Sequence, residues 1–170
     1  MRGIWLLAGC VLVPGVEVPD VRTPPEAVIE IHRLAGVRPA DVVYDLDSGN
    51  GRIVIAAARD FRARGVGIEI DPDLVAESEK NARRARVAER TRFLKQDIFD
   101  TDISEATVVT LSLSPDLNLR LKPMLLAQLK PGTRIVSHDF PIGDRQPAQV
   151  INFKGPARTH VLSLWIVPPR

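Results

Sequence analysis

Asp45 and Glu69 each close a short apolar run, Asp97 follows the strand-like run 91–95 after Gln96, and a turn containing Gly49 and Gly51 comes soon after the first of them. The run Val42-Val43-Tyr44 ends in Asp45, the chain turns through Ser48-Gly49-Asn50-Gly51, and Ile53-Val54-Ile55-Ala56-Ala57-Ala58-Arg59 reads as a helix. Strand, glycine turn and helix in that order let backbone N–H groups approach a ligand at a helix N-terminus. In an open α/β sheet, ligands bind at the carboxyl ends of the strands, where the strand order reverses. Three acids at successive strand ends therefore share one surface. Glu69 is spaced to accept hydrogen bonds from both hydroxyls of a ribose. Asp97 is placed to accept from an exocyclic amine, and Ile70 and Ile98 to sandwich a flat base. Singly, an Asp at a strand end is more often a helix cap, and two glycines are a weak signal. In register they describe a pocket for an adenosine-containing cofactor. The spacing is not that of a dinucleotide site, because Arg52-Ile53-Val54 follows Gly51 with no third glycine, and no Walker-type lysine is present.

The elements that must position these residues alternate. Thr23-Pro24-Pro25-Glu26 reads as a helix start, with Thr23 as N-cap, and the helix runs on to end near Gly36. Strands are expected at 42–46, 65–70, 91–95, 107–113 and 134–138, and helices at 52–61, 73–85 and 116–129. Runs at 148–153 and 160–167 have no helix between them and read as a terminal antiparallel hairpin. The expected fold is α/β: a Rossmann-like sheet of seven strands, mostly parallel, closed by that hairpin and covered by helices on both faces.

At 170 residues the chain fits one domain with a substantial core. Its hydrophobic fraction of 45% and charged fraction of 26% are ordinary for a globular protein. The net charge of +2 comes without a basic run interleaved with aromatics, so no nucleic-acid partner is expected. Arg83, Arg84 and Arg86 read as a solvated helix face. Cys10 is the single cysteine, which excludes an internal disulfide and fits a cytoplasmic protein. Residues 4–13 are apolar and too short to span a bilayer, leaving open a truncated signal or membrane anchor, a loose tail, or a packed arm. Residues 1–22 are thus set apart as a hydrophobic segment and extended arm, and 23–170 as the functional domain. No metal site is expected.

With Asp45, Gly49, Gly51, Glu69, Asp97 and the final hairpin, the chain resembles the class I, seven-β-strand, S-adenosylmethionine-dependent methyltransferases. Tyr44-Asp45-Leu46, Val66-Gly67-Ile68-Glu69-Ile70-Asp71-Pro72, Leu129-Lys130-Pro131-Gly132, Ser137-His138-Asp139-Phe140 and Leu164-Trp165-Ile166-Val167-Pro168 are similar to one subgroup. It comprises small prokaryotic enzymes related to the adenine nucleotide translocase and ATP synthase c-subunit lysine methyltransferases. The resemblance covers about residues 17–168. It implies S-adenosyl-L-methionine as cofactor and the amine of a protein lysine as methyl acceptor. It also implies a cofactor site of Thr23, Asp45, Asp47, Ser48, Gly49, Gly51, Glu69, Ile70, Asp97 and Ile98. The reacting centre would lie at Ser112, Ser114, Pro115, Asn118 and His138, with Asp139 beside it.

The chain departs from that pattern at several positions. Asp47 stands where relatives carry glycine, bringing a Cβ and a charge into the turn. Asn50 stands where an acid is common, and Ser112 where the subgroup has tyrosine. Asp20 and Arg145 replace aromatics expected to grip an alkylammonium. Two other readings stay open. One is a degenerate methyltransferase fold that acts as a binding protein, and the other is a methyltransferase acting on a small molecule or RNA.

Overall fold

The alternating pattern forms a single sheet of seven strands in the computed structural model, which describes residues 23–143 and 145–169. The apolar stretch 4–13, Cys10 and Asp20 lie outside the described residues. Five strands run parallel: β1 (Val42–Leu46), β2 (Arg64–Glu69), β3 (Thr91–Lys95), β4 (Val108–Leu111) and β5 (Arg134–His138). Strands β6 (Gln149–Lys154) and β7 (Thr159–Ile166) form the antiparallel hairpin, and β7 pairs with β5. The order across the sheet is β3-β2-β1-β4-β5-β7-β6. The chain reverses direction across the sheet between β1 and β4, so the crevice for a ligand falls at their carboxyl ends.

Alternation along the strands divides the core into two layers. Tyr44, Val109, Leu111 and Ile135 point to one face, where Leu121 and Leu125 of α4 (Pro115–Gln128) and the following Leu129 cover them. Val43, Val108, Val136 and Leu162 point to the other, under α1 (Pro25–Ala35) and α2 (Arg52–Phe61). Helix α3 (Pro72–Arg84) continues that layer through Ala82, which packs with Val54 and Phe93. Each fully buried leucine contributes about 1.5–3 kcal/mol relative to an exposed one, so these layers hold the strand ends firmly.

Helix boundaries follow local chemistry. Gly36 ends α1 in the left-handed conformation at φ 60°, as a C-terminal glycine does. Asp71 caps α3 by accepting from Asp73 N, with Pro72 next in the chain. Two sequence expectations are corrected. Thr23 is not the cap of α1: Pro24 holds that position without a side-chain bond, and the Thr23 hydroxyl instead faces Ser112 and His138. Strand β4 is shorter than expected and ends at Leu111, because Ser114 is the N-cap of α4 and the chain must turn before it.

Candidate functional site

The glycine turn is held from below and left open above. Asp47 N and Ser48 N both donate to Ile68 O, Ser78 Oγ donates to Gly49 O, and Asn81 Nδ2 donates to Asn50 O. Gly49 has φ 53°, and a Cβ there would meet nothing within 4 Å. Gly51 has φ 79°, and its Cβ would fall 2.7 Å from a ring carbon of Phe93. One glycine is therefore fixed by conformation and crowding, while the other leaves bare backbone facing open space. Asp47 takes φ 69°, a left-handed conformation that Asp tolerates better than most side chains.

Two cavities meet at Asp47. The first, about 510 Å³, is lined by Thr23, Asp45, Ser48, Gly49 and Ser112 among others. The second, about 310 Å³, is lined by Ile70, Gln96, Asp97, Ile98, Phe99 and Arg120. Asp47 lines both, so its carboxylate stands at the waist of one elongated cleft. Ile70 is 63% exposed, an unusual amount for a large apolar side chain beside a cavity. Arg120 stacks on the Phe99 ring at 4.5 Å and closes the far end.

The acids around this cleft are not equivalent. Asp45 is buried, and its carboxylate accepts from Thr110 Oγ1 at 2.6 Å. Burial pushes its pKa up to about 8; the Thr110 bond opposes the rise, and the charges of Asp47 and Glu69 add to it. Asp47 reaches solvent, yet its pKa is also raised, first by partial desolvation and then by Glu69. Glu69 lines neither cavity. Its oxygens accept from Gly49 N at 2.9 Å, Ile70 N at 2.8 Å and Asp71 N at 3.0 Å, tying β2 to the glycine turn. A carboxylate offers about four acceptor positions, and three of them are taken by backbone N–H groups here. Asp97 is exposed and accepts from Phe99 N at 2.9 Å, which fixes the turn after β3.

The far wall of the cleft is formed by the ends of β4 and β5. Thr23 Oγ1, Ser112 Oγ and His138 Nδ1 form a triangle with sides of 3.3, 3.3 and 3.4 Å. Arg52, the first residue of α2, donates to Thr23 O at 2.8 Å and so ties this corner to the glycine turn. His138 is buried, and its pKa is lowered: burial dominates, Asp139 opposes, and His160 and Arg158 add to the lowering.

Of the residues expected at the reacting centre, Ser112 and His138 come together, and the other three belong to the start of α4. Ser114 caps α4 and Pro115 begins it. Asn118 is fully buried, with Nδ2 facing the carbonyls of Leu113, Phe140 and Pro141 at 3.3–3.4 Å, and so braces the loops after β4 and β5. Arg145 lines a separate notch of about 70 Å³ beside Trp165 and Ile142, not the cleft. Sequence reasoning missed Thr110, Ser78 and His160. Thr110 carried a readable signal, since it sits in β4 directly opposite Asp45. His160 carried another, as a titratable residue at an inward position of a largely apolar strand.

Comparison with known proteins agrees with this geometry. A family model described as the ANTKMT methyltransferase domain matches residues 45–149. A protein-lysine N-methyltransferase of Saccharolobus islandicus is 42% identical over 151 residues, covering 88% of this chain and 94% of the relative. The adenine nucleotide translocase lysine N-methyltransferase of Mus musculus is 32% identical, covering 87% of this chain and 66% of its own length. A crystal structure described as an RNA methyltransferase from Salinibacter ruber, in complex with S-adenosyl-L-homocysteine, superposes with a TM-score of 0.84 at 50% identity. That match covers 88% of this chain and 95% of the other.

Proposed function

We propose that this chain, which belongs to the family of ANTKMT methyltransferase domains, is an S-adenosylmethionine-dependent enzyme that methylates the side-chain amine of a protein lysine. The observation that carries the reading is the cleft itself. Bare glycine backbone and a buried, uncompensated Asp45 line one end, and exposed Ile70 lines the other. The first end opens onto the corner formed by Thr23, Ser112 and His138.

The residues present fit the cofactor. Gly49 lines the first cavity, and a Cβ there would meet nothing within 4 Å, so a ligand can lie directly against its main chain. Asp45 and Asp47 suit the cationic amine and sulfonium of the cofactor, and Ile70 and Ile98 suit the faces of its adenine. Bound there, the cofactor supplies an electrophilic methyl group. The chain then has to orient a neutral amine in line with that methyl and exclude water. Ser112 and Thr23 hydroxyls are placed to orient the amine, and His138, held neutral by burial, is placed to accept a proton.

A second reading is favoured by the Salinibacter protein, whose description names RNA. Against it stands the net charge of +2, which is small for a chain that must grip a polyanion. Labelled cofactor offered with lysine-containing peptides, RNA and extract metabolites separates the two: label in protein that maps to lysine is expected, and label in RNA alone overturns the lysine reading. A degenerate fold is tested by Asp47→Gly with Ser112→Tyr. Full turnover before these changes removes that reading, and turnover only after them supports it. A membrane-facing role for residues 4–13 rests on sequence alone; among the described residues no helix is long and apolar enough to cross a membrane.

A further inference from the structure

Three ionisable groups converge behind the far wall of the cleft. His138 Nε2 lies 2.9 Å from His160 Nδ1 and 3.3 Å from Asp139 Oδ2, while its Nδ1 faces the Thr23 and Ser112 hydroxyls. Imidazole nitrogens at that separation share one N–H between them. Asp139 is bonded by the Arg158 guanidinium, and its Oδ1 accepts from Val161 N at 3.1 Å. Burial pushes its carboxyl up, but the bonds from Arg158 and Val161 and the nearby His138 hold it below its ordinary value. An ionised carboxylate beside Nε2 favours the tautomer with the proton on Nε2. That leaves the Nδ1 lone pair aimed at the hydroxyls of the cleft. His160 is buried against Phe153, and its Nε2 faces Gly155 at the hairpin turn, where a Cβ would fall 2.9 Å away. The outer edge of the second imidazole is therefore left without a covering side chain.

We propose that Asp139 and His160 are positioning residues that hold His138 as the Nε2–H tautomer and lead the acceptor's proton out of the cleft through the β6–β7 hairpin. The inference rests on the lysine reading above. An N–H bond of the substrate ammonium breaks, and the proton passes through the Ser112 or Thr23 hydroxyl to His138 Nδ1. The Nε2 proton moves to His160 Nδ1, and His160 releases one from Nε2 to water. The neutral amine then forms its N–C bond as the S–C bond breaks, with that electron pair staying on sulfur. One proton leaves per methyl transferred. The charged and titratable groups facing His138 are Asp139, His160 and Arg158. The carboxylate of Asp139 is already matched by the Arg158 guanidinium. That suits relaying a proton better than holding a cation, although the donor atoms of His138, Asp139 and His160 lie within 4.8 Å of one another.

The test pairs nitrogen NMR with kinetics on the full chain. In the complex with S-adenosylhomocysteine, long-range ¹H–¹⁵N spectra at pH 7.5 are expected to show His138 with a bare Nδ1 and a protonated Nε2. Asp139→Asn, a residue type that tolerates the left-handed φ of 66° found there, is expected to mix the tautomers. His160→Gln is expected to lower kcat for a lysine peptide roughly 10- to 100-fold near pH 7, leave cofactor affinity unchanged, and regain most of the loss above pH 9, where lysine sheds its own proton. A proton found on Nδ1 of His138 in the wild type overturns the proposal even if His160→Gln does not fold. So does a His160→Gln pH profile that matches the wild type while lysine is still methylated. If the wild-type chain methylates no lysine, the acceptor reading fails first and the relay falls with it, an outcome visible before any variant is made.

Discussion

At the amino end of β1, Asp41 accepts from Arg38 N at 2.7 Å and from Thr107 Oγ1 at 2.7 Å, and is paired with Arg134. At the carboxyl end of the same strand, Asp45 accepts from Thr110, and the charges that bear on it, Asp47 and Glu69, are both negative. Burial pushes both carboxyls up. At Asp41 the bonds from Thr107, Arg38 and Arg134 outweigh burial and hold it below its ordinary value, whereas Asp45 rises to about 8. One end of the sheet is electrostatically finished and serves to join strands. The other is left incomplete, and that incompleteness is the mark of a binding site.

The sharpest way to break the comparison is to neutralise each acid in turn. Asp45→Asn keeps the Thr110 bond and is expected to weaken cofactor binding roughly 10- to 100-fold, the worth of a charge-assisted hydrogen bond, by isothermal titration. The melting temperature at pH 8 should hold or rise. Asp41→Asn should do the reverse, lowering stability by about 1–3 kcal/mol in urea unfolding with cofactor affinity untouched. If both variants lose affinity alike, the contrast is wrong.

A pH series sharpens the same point. Asp45 binds its proton more tightly folded than unfolded, so its contribution to stability is fully present below about pH 4 and is lost as pH rises through about 8. A cationic ligand favours the ionised form. Cofactor affinity should therefore increase from pH 6 to pH 8, with proton release detected as a buffer-dependent binding enthalpy. A flat profile would place Asp45 outside the ligand's reach.

Smaller effects concern the turn itself. Asp47→Gly relieves the left-handed Cβ and one of the repelling charges, and is expected to stabilise the unliganded chain by about 1 kcal/mol in thermal unfolding. Ser78→Ala removes the hydroxyl that holds Gly49 O and should cost about 0.5–1.5 kcal/mol, with a slight rise in KM for the cofactor.

Strand ends and helix faces were legible because they follow from side-chain periodicity. The spans of β1, α2, β3 and β5 match the pattern of apolar residues directly. Side chains that serve two elements were less legible. Thr23 has the residue type and position of an N-cap, and only the packing of its segment against β4 and β5 shows why its hydroxyl is used elsewhere. Glu69 was readable as an acid at a strand end, but its three backbone bonds depend on how β2 meets the glycine turn. His160 becomes significant only through the pairing of β7 with β5, a contact far apart in sequence.

Asp45 and Asp47, proposed above to face the positive groups of the donor, also bear on how the enzyme behaves as its product accumulates. Giving up the methyl turns a sulfonium into a neutral thioether, so the spent molecule carries one positive charge fewer than the one that entered. A cleft poised for that charge retains fresh donor more strongly than spent donor. Catalysis here should persist at donor-to-product ratios that would stall a site with a neutral wall.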